Sequence, residues 1–178
     1  MVFSSPIFVF AFLPLVLLVY YLAAPRIQNA ILLVFSLLFY AWGEGERLTI
    51  MLLSITINYF TAIIIDSQPK QSKKKFFLFT GILLNLSMLL YYKYTNFFVV
   101  NYNSLADQQG WTSIVMDRVI LPLGISFFTF QGMSYIVDVF RKQAEVQRNP
   151  FNLALYISFF PQLIAGPIVR YHDISLQL

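Results

Sequence analysis

Cysteine is absent from this chain of 178 residues, histidine occurs once, and charged residues make up only 11%. The missing cysteine excludes a disulfide framework, a thiolate nucleophile and a cysteine-ligated metal site in these residues. With His172 alone, a paired-histidine zinc site cannot form either, and we expect no bound metal. A histidine that acts as a general base also needs an orienting partner and a nucleophile within reach. Because His172 lies between Arg170 and Asp173 just past an apolar run, we interpret it as an interfacial polar residue.

Hydrophobic residues make up 58% of the chain, whereas soluble domains have roughly 45–50% apolar and about 25% charged residues. A helix that spans a membrane needs about 20 mostly apolar residues. Uncharged runs near that length cover residues 1–25, 27–43, 48–65, 76–92, 119–137 and 149–169. No amphipathic stripe separates a solvent-exposed helix face from an apolar one, which disfavours a very apolar soluble helical bundle. The sequence predicts an all-α, polytopic integral membrane protein with about five or six membrane-embedded helical segments, some broken or re-entrant.

The distribution of lysine and arginine predicts an orientation. Arg26 and the basic loops 70–75 and 141–148 all fall between apolar runs, and positive loops face the cytoplasm. Residues 44–47 and 93–118 and the N-terminus then face outward. We expect a multi-pass protein of the inner (cytoplasmic) membrane with the lipid bilayer as its surroundings. This bias explains the net charge of +4, so no nucleic-acid partner is expected.

Two further features follow from local composition. The first apolar run has no lysine or arginine before it, which favours an uncleaved first span over a signal peptide cleaved after Ala23 or Ala24. Residues 96–113 are the least apolar stretch, and 107–110 have the composition of a turn. We predict an interfacial helix plus a loop over residues 96–113.

The segments 121–141 and 159–173 are apolar but carry proline, glycine and polar residues near their middles. A helix that only faces lipid is not expected to contain Pro161 and Gln162 near its middle. Irregular backbone at membrane depth persists only where protein or a water-filled cavity satisfies the freed N–H and C=O groups. These segments are therefore predicted to form the wall of an intramembrane site, with a break inside 159–169.

Asp138 and Arg141 are spaced i, i+3, so a helix would place them on one face. One interpretation is a local ion pair at the membrane boundary. The other is that Asp138 anchors Arg141 at the mouth of a cavity, since ionisable groups near the membrane interior are site candidates. Spacing alone leaves both open.

Six motifs in chain order carry a resemblance to a known family. They are Phe3-Ser-Ser5, Tyr40-Ala-Trp42, Tyr92-Lys-Tyr94, Leu121-Pro-Leu-Gly-Ile-Ser-Phe127, Ser134-Tyr-Ile-Val-Asp138 and Phe160-Pro-Gln-Leu-Ile-Ala-Gly-Pro167. In these the chain resembles the bacterial membrane-bound O-acyltransferases, above all the alginate O-acetyltransferase branch, with the D-alanyl transfer protein of teichoic acid modification as a cousin. The last two motifs are the specific ones.

The resemblance implies a multi-span helical enzyme whose helices surround a funnel, in which an acyl group passes from a cytoplasmic donor to a hydroxyl acceptor. It implies no bound cofactor, and the donor is either acetyl-CoA or a carrier-bound acyl group. Expected partners are this donor or its carrier on the cytoplasmic side and an extracytoplasmic acetyltransferase. Side chains expected to shape the donor side of the funnel are Ser126, Gln131, Asp138, Arg141, Gln162 and Arg170.

The family's tryptophan-histidine motif and a later intramembrane histidine have no counterpart here, and His172 does not inherit their role. We therefore expect residues 1–178 to be the N-terminal part of a single multi-span domain that ends before the catalytic region, with no catalytic residue and no activity alone. The expected function of the whole is transfer of an acyl, here acetyl, group to a hydroxyl of an exported or cell-surface polysaccharide.

Two alternatives come from other classes. A non-catalytic membrane scaffold subunit of a polymer-modification or export complex fits a chain without an identifiable base. A transporter would line its path with broken segments, usually in symmetry-related pairs. The first half of the sequence shows no inverted copy of the second, which disfavours the transporter.

Overall fold

The computed structural model describes residues 5–166 and 169–174, and all regular structure within them is helical. A π-helical turn, Phe8–Phe12, opens the described chain, and a 3-10 turn covers Gly45–Arg47. The α-helices are α1 (Leu13–Leu22), α2 (Pro25–Glu44), α3 (Leu48–Ser67), α4 (Gln71–Gln109), α5 (Ile125–Phe140), α6 (Pro150–Ser158), α7 (Phe160–Ala165) and α8 (Tyr171–Ile174).

Helices α2 and α3 form an antiparallel hairpin. Their connection turns at Gly45, whose φ of 56° lies in the left-handed region that only glycine adopts at little cost. Each helix has 20 residues, about 30 Å at 1.5 Å per residue, the thickness of a hydrocarbon core. By length and composition, two stretches, Pro25–Ser67 and Gln71–Gln109, can cross a membrane.

Helix α4 corrects one prediction. It runs unbroken for 39 residues, from Gln71 to Gln109, so residues 96–109 continue the helix instead of forming a separate interfacial segment. Gly110, with φ of 70°, ends it in a left-handed cap. At about 58 Å, α4 is far longer than the roughly 30 Å hydrocarbon core. Local polarity did not end the helix because the asparagines and serines there bond to carbonyls or to the following segment.

The segment between α4 and α5 has no regular structure up to Pro122, although the apolar run began at residue 119. The side chain of Asn96 exchanges two hydrogen bonds with the backbone of Val119, of 2.6 and 3.0 Å. Asn103, two turns further along α4, does the same with Ile114. Each amide side chain bonds to both the N–H and the C=O of one residue, as the backbone of a neighbouring strand would, and so holds the segment against α4.

Helices α3, α4 and α5 form the centre of the bundle. Close packing depends on small residues at the crossings, as is common among membrane helices. Gly132 of α5 lies against the side chain of Asn58, and Gly81 of α4 lies against Thr61. Tyr135 and Phe128 of α5 are fully buried in this core.

The predicted break in the last apolar run is confirmed. Asn149 caps α6 through Phe151 N–H at 3.0 Å, and α6 ends at Ser158. Phe159 has a ψ of 109°, which no helix allows, and α7 starts at Phe160 with Pro161 in its first turn. An unbroken helix would have placed the Pro161 ring against the carbonyl of Ile157. Pro167 lies outside the described residues.

After α7 the chain returns to the end of the bundle at which α6 began. Gln147, just before α6, donates from Nε2 to the Tyr171 hydroxyl at 3.0 Å. The Tyr171 ring also packs edge-on against Tyr156 of α6, with centroids 5.2 Å apart. Residues 150–166 and 169–171 thus have both of their ends at one end of the bundle, with α7 as the inner turn.

Three basic connections lie together at that same end. Arg148 accepts a hydrogen bond from Tyr59 of α3 at its carbonyl, 2.8 Å away, and its guanidinium lies 3.8 Å from the Asp66 carboxylate. Lys74 of α4 lines one surface groove with Arg148. Because α2 is antiparallel to α3, Arg26 at its start belongs here too. We call residues 23–26, 66–75 and 141–149 the basic end, and the Gly45 turn with residues 110–124 the opposite end.

Candidate functional site

A cavity of about 440 Å³ lies between the α1–α2 hairpin and the broken segment, by which we mean α6 and α7 with the break at Phe159 between them. It lies in the half of the bundle toward the basic end. Its volume falls within the roughly 300–1,000 Å³ of small-molecule sites. Its walls come from α1, α2, α6, α7 and the return toward α8; the lining residues are Tyr20, Asn29, Leu32, Leu155, Tyr156, Phe159, Pro161, Gln162, Gly166, Val169 and Ile174.

Gln131 and Gln162, both predicted from the sequence, meet behind this cavity. Gln131 Nε2 donates to the Tyr156 carbonyl at 2.7 Å and lies 3.4 Å from Gln162 Oε1. The Tyr156 carbonyl is near the end of α6, where helix carbonyls lose their intrahelical partners. Gln131 therefore supplies a donor that the break removed, and Gln162 turns its amide toward the cavity wall.

A cluster of tyrosines holds α6 against the returning residues 169–171. The Tyr156 hydroxyl donates to the Val169 carbonyl at 2.9 Å. Tyr135 accepts from the Gln147 backbone N–H at 2.9 Å, and its ring contacts Tyr171 at 4.8 Å between centroids. These bonds connect the cavity wall to the basic loop 141–149.

Asp138 is only 5% exposed, and its Oδ2 has no hydrogen-bond partner in the described residues. Burial is the dominant influence on this carboxyl group; Arg170, His172 and Arg141 lie near enough to attract its charge, and Asp173 opposes them. An uncompensated buried carboxylate is costly, so this position is strained electrostatically unless a cation or donor approaches it. Asp138 thus joins α5 to the region around α8.

Of the two interpretations of Asp138 and Arg141, the local ion pair is wrong. Arg141 is the C-cap of α5 and keeps a helical backbone conformation, but its side chain is exposed. Among the described residues the ion pairs within 4.0 Å are Arg47–Glu44 and Arg148–Asp66. The i, i+3 spacing holds along the backbone, but the exposed Arg141 guanidinium does not come within 4.0 Å of the buried Asp138 carboxylate.

The other predicted residues fall outside the cavity wall. Arg170 and Arg141 are exposed at the basic end, and Ser126 is half-buried in the first turn of α5, toward the opposite end. The structure thus brings Gln131 and Gln162 together, whereas Asp138 forms no ion pair within 4.0 Å with Arg141 or Arg170.

Sequence reasoning missed three polar residues of the wall, namely Tyr20, Asn29 and Tyr156. Their only signal was a polar group inside an apolar run, with Tyr20 near the end of 1–25, Asn29 near the start of 27–43 and Tyr156 within 149–169. Within the described residues, no group of three or more His, Cys, Asp or Glu side chains could hold a metal ion.

Fold and site define a class: a helical membrane protein in which a broken segment lines a mostly apolar cavity with a few polar side chains in its wall. The sequence is 37% identical to "Probable alginate O-acetylase AlgI" of Pseudomonas syringae pv. tomato, over 99% of this chain and 34% of that protein. It is 37% identical to the protein of the same name from Pseudomonas aeruginosa, over 98% and 34%. It is 35% identical to the "Peptidoglycan O-acetyltransferase" of Helicobacter pylori, over 99% and 38%.

These relatives confirm the resemblance seen in the motifs, and the chain is a homologue of the O-acetyltransferases of the alginate branch. It spans about a third of the length of the relatives it matches. No protein-family model and no solved structure matches it significantly. Homology and the two membrane-length helical stretches indicate a membrane location.

Proposed function

We propose that this chain is the N-terminal part of a membrane O-acyltransferase that moves an acetyl group to a hydroxyl of an exported or cell-surface polysaccharide. The observation that carries the proposal is the cavity at the broken segment, whose mostly apolar wall carries a few polar side chains, in a chain whose relatives are named for O-acetylation of alginate and peptidoglycan. The protein would lie in the inner membrane with five or six embedded segments, of which 150–171 is re-entrant.

The cavity belongs to the donor side in this proposal. It lies toward the basic end, which the positive-inside rule assigns to the cytoplasm, with the N-terminus outside. A cytoplasmic acyl donor, acetyl-CoA or an acyl carrier, is anionic, and the exposed Arg141 and Arg170 stand at that end. Gln162 then lines the cavity and Gln131 supports it from behind, while Asp138 lies near the same end of α5 and Ser126 lies further toward the acceptor side.

Acyl transfer needs a base for the hydroxyl and donors for a developing oxyanion. We propose that the base comes from the part of the protein beyond residue 178, as the family resemblance implies. The described residues of this chain would bind and orient the donor. An extracytoplasmic acetyltransferase would receive or share the acetyl group.

The test uses the full-length gene product in membrane vesicles with a radiolabelled acetyl donor on the cytoplasmic face. Label that appears on polysaccharide at the other face, at a rate that saturates with donor, supports the proposal. Full polymer export with no acetyl transfer would favour the scaffold. Uptake of a soluble solute in place of acetyl transfer would favour the transporter.

A further inference from the structure

We propose that the basic end carries a site for an anionic phospholipid, in a surface groove between the end of α3 and the first turns of α4. The groove holds about 360 Å³, at the small end of the range of ligand sites. Its lining residues are Gln68, Ser72, Lys73, Phe76 and Phe77, and we call it the Lys73 groove. The proposal goes beyond the proposed function, because it concerns the surrounding membrane and involves neither acyl donor nor acceptor.

The charge around the Lys73 groove favours a negative partner. Residues 70–75 contain four lysines, and no aspartate or glutamate occurs between Asp66 and Asp107. Asp66 is itself 3.8 Å from Arg148, and the two ion pairs within 4.0 Å among the described residues include no lysine. Clusters of at least about four basic residues just outside a membrane helix are typical of sites for anionic lipids. The cytoplasmic leaflet, which the proposed orientation places at this end, contains such lipids.

The position of these lysines in α4 strengthens the need for a counter-charge. Lys70 is the N-cap residue, and the other three lysines lie within the first five residues of the helix. A helix N-terminus carries a partial positive charge, so cations there are unfavourable and anions are favourable. The first turn of α4 has no acidic residue, and the N-cap side chain makes no capping hydrogen bond. A lipid phosphate would offset this charge, which the turn itself does not.

An apolar strip continues from the groove along α4, which indicates that the anion is an amphiphile. Ser72, Phe76, Phe79 and Leu83 follow one another at helical spacing and share one face. The three apolar side chains are 64%, 66% and 54% exposed. Phe77 also lines the groove and packs against the central core, which fixes the shape of the wall. A headgroup phosphate beside Lys73 and Ser72 would leave an acyl chain along this strip, whereas free phosphate would leave the strip unused.

The experiment measures which lipid occupies this position, with the full-length protein in a cysteine-free version reconstituted in vesicles. A bimane fluorophore is attached at Leu84→Cys and quenched by brominated phosphatidylglycerol or brominated phosphatidylcholine. Leu84 is 45% exposed and lies three helical turns from Lys73 on the same side of α4. We expect half-maximal quenching at an about tenfold lower mole fraction of phosphatidylglycerol than of phosphatidylcholine. A label at Leu53→Cys, an exposed position of α3 toward the opposite end, should show less than about twofold preference.

A pair of matched lysine variants separates a defined site from diffuse attraction. Lys73 lines the groove, whereas Lys70 is exposed in the same loop and does not line it. Lys73→Gln should lower the preference at position 84 about fivefold, and Lys70→Gln less than about twofold. Lys142→Gln, which removes an exposed charge at the same end outside this groove, should leave the preference unchanged.

Three outcomes would overturn the site. Equal quenching by the two lipids at position 84 would show no selectivity for an anionic headgroup. Equal loss of preference in Lys73→Gln and Lys70→Gln would show attraction by the whole basic loop instead of a groove. Displacement of brominated phosphatidylglycerol by excess inorganic phosphate would assign the groove to a free anion, because phosphate makes no use of the apolar strip.

Discussion

Asn58 of α3 and Asn85 of α4 exchange two side-chain hydrogen bonds, each 3.1 Å long. Each amide gives its second proton to a carbonyl one turn earlier on its own helix, Ser54 and Gly81, both at 2.8 Å. Both asparagines are fully buried. With all N–H donors satisfied, the pair determines how α3 and α4 lie against each other in apolar surroundings.

The first prediction tests the fit of Gly132 against this pair. A methyl group at position 132 would overlap the Asn58 amide, which cannot move without losing its bonds. We expect Gly132→Ala to lower the free energy of unfolding by about 1–3 kcal/mol. Asn58→Ala makes room, so the double variant should cost less than the sum of the two single changes. Denaturation in detergent provides the measurement, with the exposed helical glycine change Gly43→Ala as control. Additive costs would show that these two side chains do not compete for space.

The second prediction concerns Gln131. Gln131→Leu keeps much of the volume but leaves the buried Tyr156 carbonyl without its donor, at a cost of about 1–3 kcal/mol. We also expect acetyl transfer by the full-length protein to fall in membranes matched for folded protein, because Gln162 loses its partner at the cavity wall. Gln108→Leu, on the exposed far end of α4, is the control. If transfer per folded molecule is unchanged for Gln131→Leu, the cavity is not a donor site.

A third prediction separates two roles of Arg141. Since Arg141 is exposed and not paired with Asp138, Arg141→Gln should leave stability almost unchanged. If Arg141 guides an anionic donor, the apparent KM for the donor should rise while kcat stays near the parent value. Arg141→Lys should bring the donor KM only partly back toward the parent value if arginine contacts the donor through two hydrogen bonds, because an ammonium group cannot reproduce the guanidinium fork. Arg148→Gln, which breaks an exposed pair with Asp66, should not change donor KM. Unchanged kinetics in Arg141→Gln would remove it from the donor site.

The fourth prediction is the orientation of the bundle. Ser72 at the basic end and Gln109 at the end of α4 are both exposed, so each can carry a single cysteine in a cysteine-free version of the full-length protein. In intact cells, a membrane-impermeant thiol reagent should label position 109 and leave position 72 unlabelled. Labelling of position 72 alone would reverse the orientation and move the cavity to the acceptor side.

Local composition predicted some elements well and one poorly. Proline and polar residues in the last apolar run correctly predicted a break, since a missing N–H and a ring clash act within one helical turn. The break falls at Phe159, before Pro161. Residues 96–109 were misassigned because their asparagines, which favour turns in an isolated chain, find partners along α4 and in residues 114–119. Tertiary contacts overrode the local preference.

For the candidate site too, some features follow from the sequence and others only from the tertiary structure. The sequence by itself determined the apolar segments, the basic loops and the positions of the interrupting prolines and glutamines, because these depend on composition and near neighbours. Only the tertiary structure decided that Gln131 meets Gln162 across 31 residues, that Asp138 is buried without an ion pair to Arg141, and that Tyr20 and Asn29 complete the wall. Such meetings depend on how the helices slide and rotate against one another. That is set by close packing at positions such as Gly132 and Asn58, which no periodicity in one segment can report.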